Sequence, residues 1–184
     1  MAKLCGALQG LACLCKASFL ILLILASLAL PLPKFTLVEV ISPAKSWFFL
    51  LRDGEEALLT WKNSLFGQTV EERFVAGGGY LWLEEVRFKD QVTGYAMKAS
   101  AQDLADLYHA GGAFEVGGVH KPFAQVTFMI GAIGEPKLRL KGQEIEFKEE
   151  GGFGGRVVIK AKKARLIALL RASAIEFARR LSFW

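Results

Sequence analysis

From Phe35 to Lys163 the chain alternates apolar and polar residues with a period of two, the pattern of strands with one buried face. "TLVEVI" reads as a short first strand. "SWFFLL" and "ALLTWKNS" follow, separated by "RDGEE", in which Asp53-Gly54 predicts a hairpin turn. In "TVEERFVA", Val70, Glu72, Phe74 and Ala76 share one side. After the turn "GGG" comes "YLWLEEVRFKD", whose apolar phase slips at Glu84-Glu85, which predicts a bulge. "FAQVTFMIG", "KLRLKG", "EIEFKEE" and "RVVIKAK" read as four later strands, divided by Gly131, Gly134, Gly142 and the turn "GGFGG". Between the two halves, "SAQDLADLYHAGG" predicts one small helix, opened by Ser100 with Asp103 and closed at Gly111. About nine short strands with one internal helix predict a mainly β fold, a single β-sandwich or a partly open barrel.

The two ends break this pattern. Ala17 to Leu30 is an uncharged apolar core preceded by Lys3 and Lys16 and stopped by Pro31 and Pro33. It is short of the roughly 20 residues of a full span and suits a signal peptide or a membrane anchor. Lysines ahead of the core predict a cytoplasmic amino end and an extracytoplasmic remainder. At the other end, Leu166, Leu170, Phe177, Leu181 and Trp184 recur on one helical face, with Arg165, Arg171 and Arg179 mostly on the other. Each arginine would cost about 2.5–3.5 kcal/mol at mid-bilayer, so this helix reads as interfacial or docked rather than spanning. Arg171, Phe177, Arg179, Arg180 and Trp184 are its candidate membrane contacts. The organisation expected is therefore 1–34 leader or transmembrane anchor, 35–163 β-domain and 164–184 basic amphipathic helix.

Composition sharpens the picture. Of 184 residues, 53% are hydrophobic, with 19 glycines and 5 prolines, which suits short strands joined by glycine turns and excludes disorder. The net charge of +5 divides into +3 over residues 1–34, −1 over 35–163 and +3 over 164–184. The middle lacks the basic surface that a nucleic-acid partner needs. Cys5, Cys13 and Cys15 all precede the apolar core, so the β-domain holds no disulfide framework and no cysteine metal site. No cofactor and no metal is expected.

Residues "FLLRDGEEALLTWKNSLFGQTVEERFVAGGGYLWLEEVRF", then "FMIGAIGEPKLRLKGQEIEF", then a glycine run and a β ending resemble the domain-of-unknown-function family eighteen-fifty, which consists of small exported prokaryotic proteins. The resemblance covers roughly residues 36–163, with the middle helix poorly matched. The family shows His-Ser-Val near a strand end and a Glu on the next strand; this chain has Asn63-Ser64-Leu65 and Glu72 at those places. Ser64 and Glu72 carry over and the histidine does not. The family's members tend to be encoded beside TAXI-type TRAP transporters. The resemblance thus implies an accessory of such an uptake system at the cell membrane, partnered by a transporter subunit or solute-binding protein. It implies no mechanism.

The candidate chemistry concentrates in "TWKNSLFGQTVEER". A serine nucleophile needs a base in hydrogen-bond reach, and asparagine cannot serve as one. His109 and His120 lie far along the chain, without a hydrolase motif or a zinc spacing. Glu71 and Glu72 are adjacent in a strand and face opposite sides, as do Glu84 and Glu85, which disfavours a glycosidase pair. Strand arginines such as Arg73 and Arg87 are the expected partners of these carboxylates. Asn63 and Ser64 suit an Asx or ST turn at a strand end, with Glu72 accepting from Ser64 or from loop amides. The favoured reading is a non-catalytic contact protein with Asn63, Ser64 and Glu72 as its motif positions. The first alternative is a small-ligand carrier whose apolar cavity draws on Trp47, Trp61 and Trp82. The second is a hydrolase built on Ser64.

Overall fold

The computed structural model describes residues 31–89 and 96–166, with Leu22 and Ala26 from the amino-terminal stretch. Most of the leader and the membrane contacts from Arg171 to Trp184 lie outside the described residues, and the leader's last four residues, Pro31 to Lys34, already belong to the first strand. Among the described residues no helix is long and apolar enough to cross a membrane.

The β unit, Pro33–Ala164, is built from two sheets. The smaller takes β1 (Pro31–Ile41), β2 (Ser46–Arg52), β8 (Gln125–Met129) and β11 (Arg156–Arg165), in the order β2-β1-β11-β8. The larger takes β3 (Glu56–Lys62), β4 (Thr69–Gly77), β5 (Tyr80–Lys89), β6 (Met97–Lys98), β7 (Phe114–Phe123), β9 (Lys137–Leu140) and β10 (Gln143–Glu146), in the order β10-β9-β3-β4-β5-β7-β6. Among the described residues a 3-10 turn (Ala101–Asp103) leads into α1 (Leu104–Ala110), and α2 (Phe147–Gly151) follows β10. The fold is mainly β with few helices, as the alternation predicts, and neither sheet closes into a barrel.

The alternation works as a sorting rule. Trp47, Phe49 and Leu51 of β2 turn inward and Phe48 outward. Val70, Phe74 and Ala76 of β4 meet Leu81, Leu83, Val86 and Phe88 of β5 and Leu59 of β3 in one continuous core, to which the smaller sheet adds Val38, Val40, Val157 and Ile159. Each such side chain contributes about 1.5–3 kcal/mol by leaving water. The outer face of the larger sheet carries the charges. There Arg73 pairs with Glu56 at 3.0 Å and Glu85 at 2.9 Å, and Lys89 with Glu71 at 2.6 Å.

Three local readings need correction. The Asp53-Gly54 turn forms, with Gly54 at φ 92°, but β2 and β3 do not pair. Asp53 N–H bonds Lys34 C=O and Gly54 N–H bonds Ala76 C=O, so the turn hands the chain from one sheet to the other. "EIEFKEE" stays extended only to Glu146; Phe147 buries its ring as the chain coils into α2. The strand β7 went unread because Gly117, Gly118 and Pro122 erase its alternation. The slip at Glu84-Glu85 is a register shift between Leu83 and Glu85 against β7, matched by another between Arg73 and Phe74 on β4.

Candidate functional site

On β4 the register that turns Val70 and Phe74 inward turns Glu72 inward as well, opposite Val86 of β5. Among the described residues no arginine meets it. Helix α1 instead lies over this part of the sheet and lowers Tyr108 toward the carboxylate, whose Oε1 accepts from the phenol O–H at 2.8 Å. The Tyr108 ring stacks on Trp61 of β3, with centroids 5.8 Å apart and 18° between planes, and meets Phe88 edge-on at 5.0 Å. The Trp61 indole N–H lies close enough to the same carboxyl to lower its pKa, and is a buried donor with no hydrogen-bond partner among the described residues.

Burial raises the Glu72 pKa, and the Tyr108 and Trp61 donors offset that only in part. Burial, and then the nearby Glu72 charge, push the Tyr108 phenol far above its ordinary range. Glu85, on the opposite face of the sheet, behaves differently. Burial pulls it up, but Arg73 and Arg87 outweigh that and hold it below the usual carboxylate range.

The loop after β3 positions this group. Asn63 is buried; its Oδ1 accepts from Leu65 N–H at 2.9 Å, the Asx turn its residue type predicts. Its Nδ2 donates to Tyr108 C=O at 2.8 Å, and Gln68 Nε2 donates to Gly112 C=O at 2.9 Å. Two amides from one loop thus hold the carboxyl end of α1 from below. Ser100 opens the helical segment by accepting from Gln102 N–H at 3.2 Å, and Gly111 closes it at φ 66°. The ring of Phe66 lies against Gly111, about 3.0 Å from where a β-carbon would stand.

A cleft of about 870 Å³ opens beside Glu72. Phe74 and Leu83 form its floor, Leu104 and Tyr108 one wall, and Val126 and Phe128 of β8 the other. His120 and Lys121 stand at its rim, His120 bonded to Glu84 at 2.9 Å and Lys121 over the Phe123 ring at 5.5 Å. A second cleft, of about 530 Å³, lies on the other side of Tyr108 and takes in Trp61, Ser64, Leu65, Met129 and Ile133.

Of the sequence-derived candidates, Asn63, Glu72 and Trp61 come together here. Ser64 is exposed, and no hydrogen bond among the described residues engages its hydroxyl; Glu72 is held by Tyr108 instead. His109 lines the second cleft with Ser64, but no hydrogen bond joins the two among the described residues. Trp47 is a core residue beneath Lys45. Trp82 lies on the outer face and donates to Gly77 C=O at 3.1 Å. Tyr108 was missed, since nothing in "DLYHA" marks a phenol aimed at a strand 36 residues earlier. No group of histidine, cysteine and acidic residues suited to a metal occurs among the described residues.

The architecture defines a mainly β protein with an apolar cleft that ends on an inward carboxyl. No protein family, curated protein or solved structure matches the chain.

Proposed function

We propose that the β unit is a small-ligand-binding domain, the cleft beside Glu72 being its site. The observation that carries this is the cleft itself: largely apolar walls around a few convergent polar groups, the usual make-up of a small-molecule site. The arrangement favours binding over bond-breaking. A nucleophile would need a base within reach, and Ser64 stands outside this cleft. The test uses Ala105, an exposed residue of α1 at the cleft wall. An environment-sensitive apolar fluorophore should bind the full-length chain and be lost from Ala105→Trp, whose indole fills the cleft while the melting temperature holds. Equal fluorescence from both proteins would refute the assignment.

A second reading has its own observation. Leu65 and Ile133 are 65% and 53% exposed and border the second cleft with Met129, leaving an apolar surface unusual for an isolated protein. In an extracytoplasmic accessory of a TRAP-type uptake system, this end is the face offered to a transporter or solute-binding subunit. Leu65→Glu with Ile133→Glu should abolish co-purification with such subunits from membranes and leave the fluorophore bound; unchanged co-purification would remove this reading alone.

A further inference from the structure

We infer that the cleft takes an apolar ligand carrying a single amine, whose ammonium group sits against Glu72. The inference rests on the proposed binding role and adds the chemical class of the ligand.

The argument starts from the hydrogen-bond inventory of the carboxyl group. Tyr108 O–H donates to Oε1, and the Trp61 N–H faces the group from β3. The indole N–H can only donate, and the phenol O–H donates to the anion. An ionised carboxylate can use both and still holds lone pairs for a third donor. Among the described residues a protonated carboxyl has only the Tyr108 phenol oxygen, 2.8 Å away, to accept its own O–H, and would give up the Tyr108 donation by using it. The half-buried carboxylate is met by donors yet has no cation beside it among the described residues. No salt bridge among the described residues reaches Glu72, although Glu71, Glu84 and Glu85 on the same sheet each have one. The missing partner is a positive donor arriving through the cleft.

The walls suit such a ligand. Phe74, Tyr108, Phe123 and Phe128 present aromatic surface to the same space, which attracts a cation and receives its apolar body. A carboxylate ligand would be repelled at the floor, and a neutral alcohol would leave the charge of Glu72 uncompensated. Other titratable groups face the site from α1 and β7. Tyr108 stays protonated, because burial and Glu72 raise its pKa. His109 is exposed on α1, His120 is tied to Glu84, and Lys121 lies over Phe123. All three side chains stand toward solvent.

Calorimetric titration of the full-length chain with three probes of like size tests this: phenethylamine, phenethyl alcohol and phenylpropionate. Once Glu72 is ionised, the amine should bind at least about tenfold more tightly than the alcohol, as befits a hydrogen bond between charged groups. Glu72→Gln should remove that advantage. In the unsubstituted chain the amine should gain affinity as the pH rises through the ionisation of Glu72, while the alcohol stays level; this profile needs no variant. Equal binding of amine and alcohol, or tightest binding of phenylpropionate, overturns the amine while leaving the cleft a binding site. Failure of all three probes, with the fluorophore also unbound, overturns both.

Discussion

The inward carboxyl of Glu72 sets how the β unit responds to pH. Its pKa is raised above the ordinary value of 4.5, so the folded chain keeps a proton that the unfolded chain has already lost. Stability is fully present below the unfolded value and falls as the pH rises through the raised one. Glu72→Gln keeps an acceptor for Tyr108 and removes the ionisation. The variant should melt higher than the natural chain at mildly alkaline pH, with the gap closing in acid, as thermal scans across the pH range will show. Asn63→Ala removes both the Asx turn and the bond to Tyr108 C=O from a buried position. It should cost about 1–3 kcal/mol in denaturant unfolding. Half of that residue's work was legible, because an Asx turn is local chemistry. The other half was not, because its helical partner is 45 residues away. Ser64 shows the converse: a motif position whose hydroxyl meets nothing among the described residues that its neighbours in sequence promised.

Among the elements, the β4–β5 hairpin is tightly constrained. Gly78 and Gly79 turn the chain at φ 61° and 90°, the two-residue geometry that a right-handed twist favours. A β-carbon on Gly79 would stand 2.6 Å from the Lys163 backbone nitrogen of β11. Gly79→Ala should therefore destabilise by about 2–4 kcal/mol, read as a lower urea midpoint with an unchanged slope. The turn was evident from "GGG", but the strand pressing on it was not. The same division holds elsewhere. Alternation located β2, β4 and β5 because each has one buried and one wet face. It missed β7, which is largely exposed beyond Val116 and carries two glycines and a proline. It misread Asp53-Gly54 because a turn motif specifies a reversal of the chain, not which strands then pair.

Across the β unit, stability is distributed unevenly. The central strands of the larger sheet bury residues such as Leu59, Val70 and Val86 completely. Helix α1 buries only Leu107 fully, and is otherwise held by the Tyr108 contacts with Glu72, Trp61 and Phe88 and by amide contacts from one loop. Its amides should exchange with deuterium well before those of β4, and bound amine should slow them, since the ligand would bridge Tyr108 and the sheet. The sequence by itself determined the mainly β class, the neutral middle between basic ends and the side of the sheet to which each β4 residue points. These follow from periodicity and charge, which are local. Only the tertiary structure decided that strands consecutive in the chain fall in different sheets, and that α1 closes over Glu72. It alone matched that carboxyl with a phenol and an indole rather than an arginine. Such pairings join residues distant in the chain, and no local pattern encodes which apolar face will meet which.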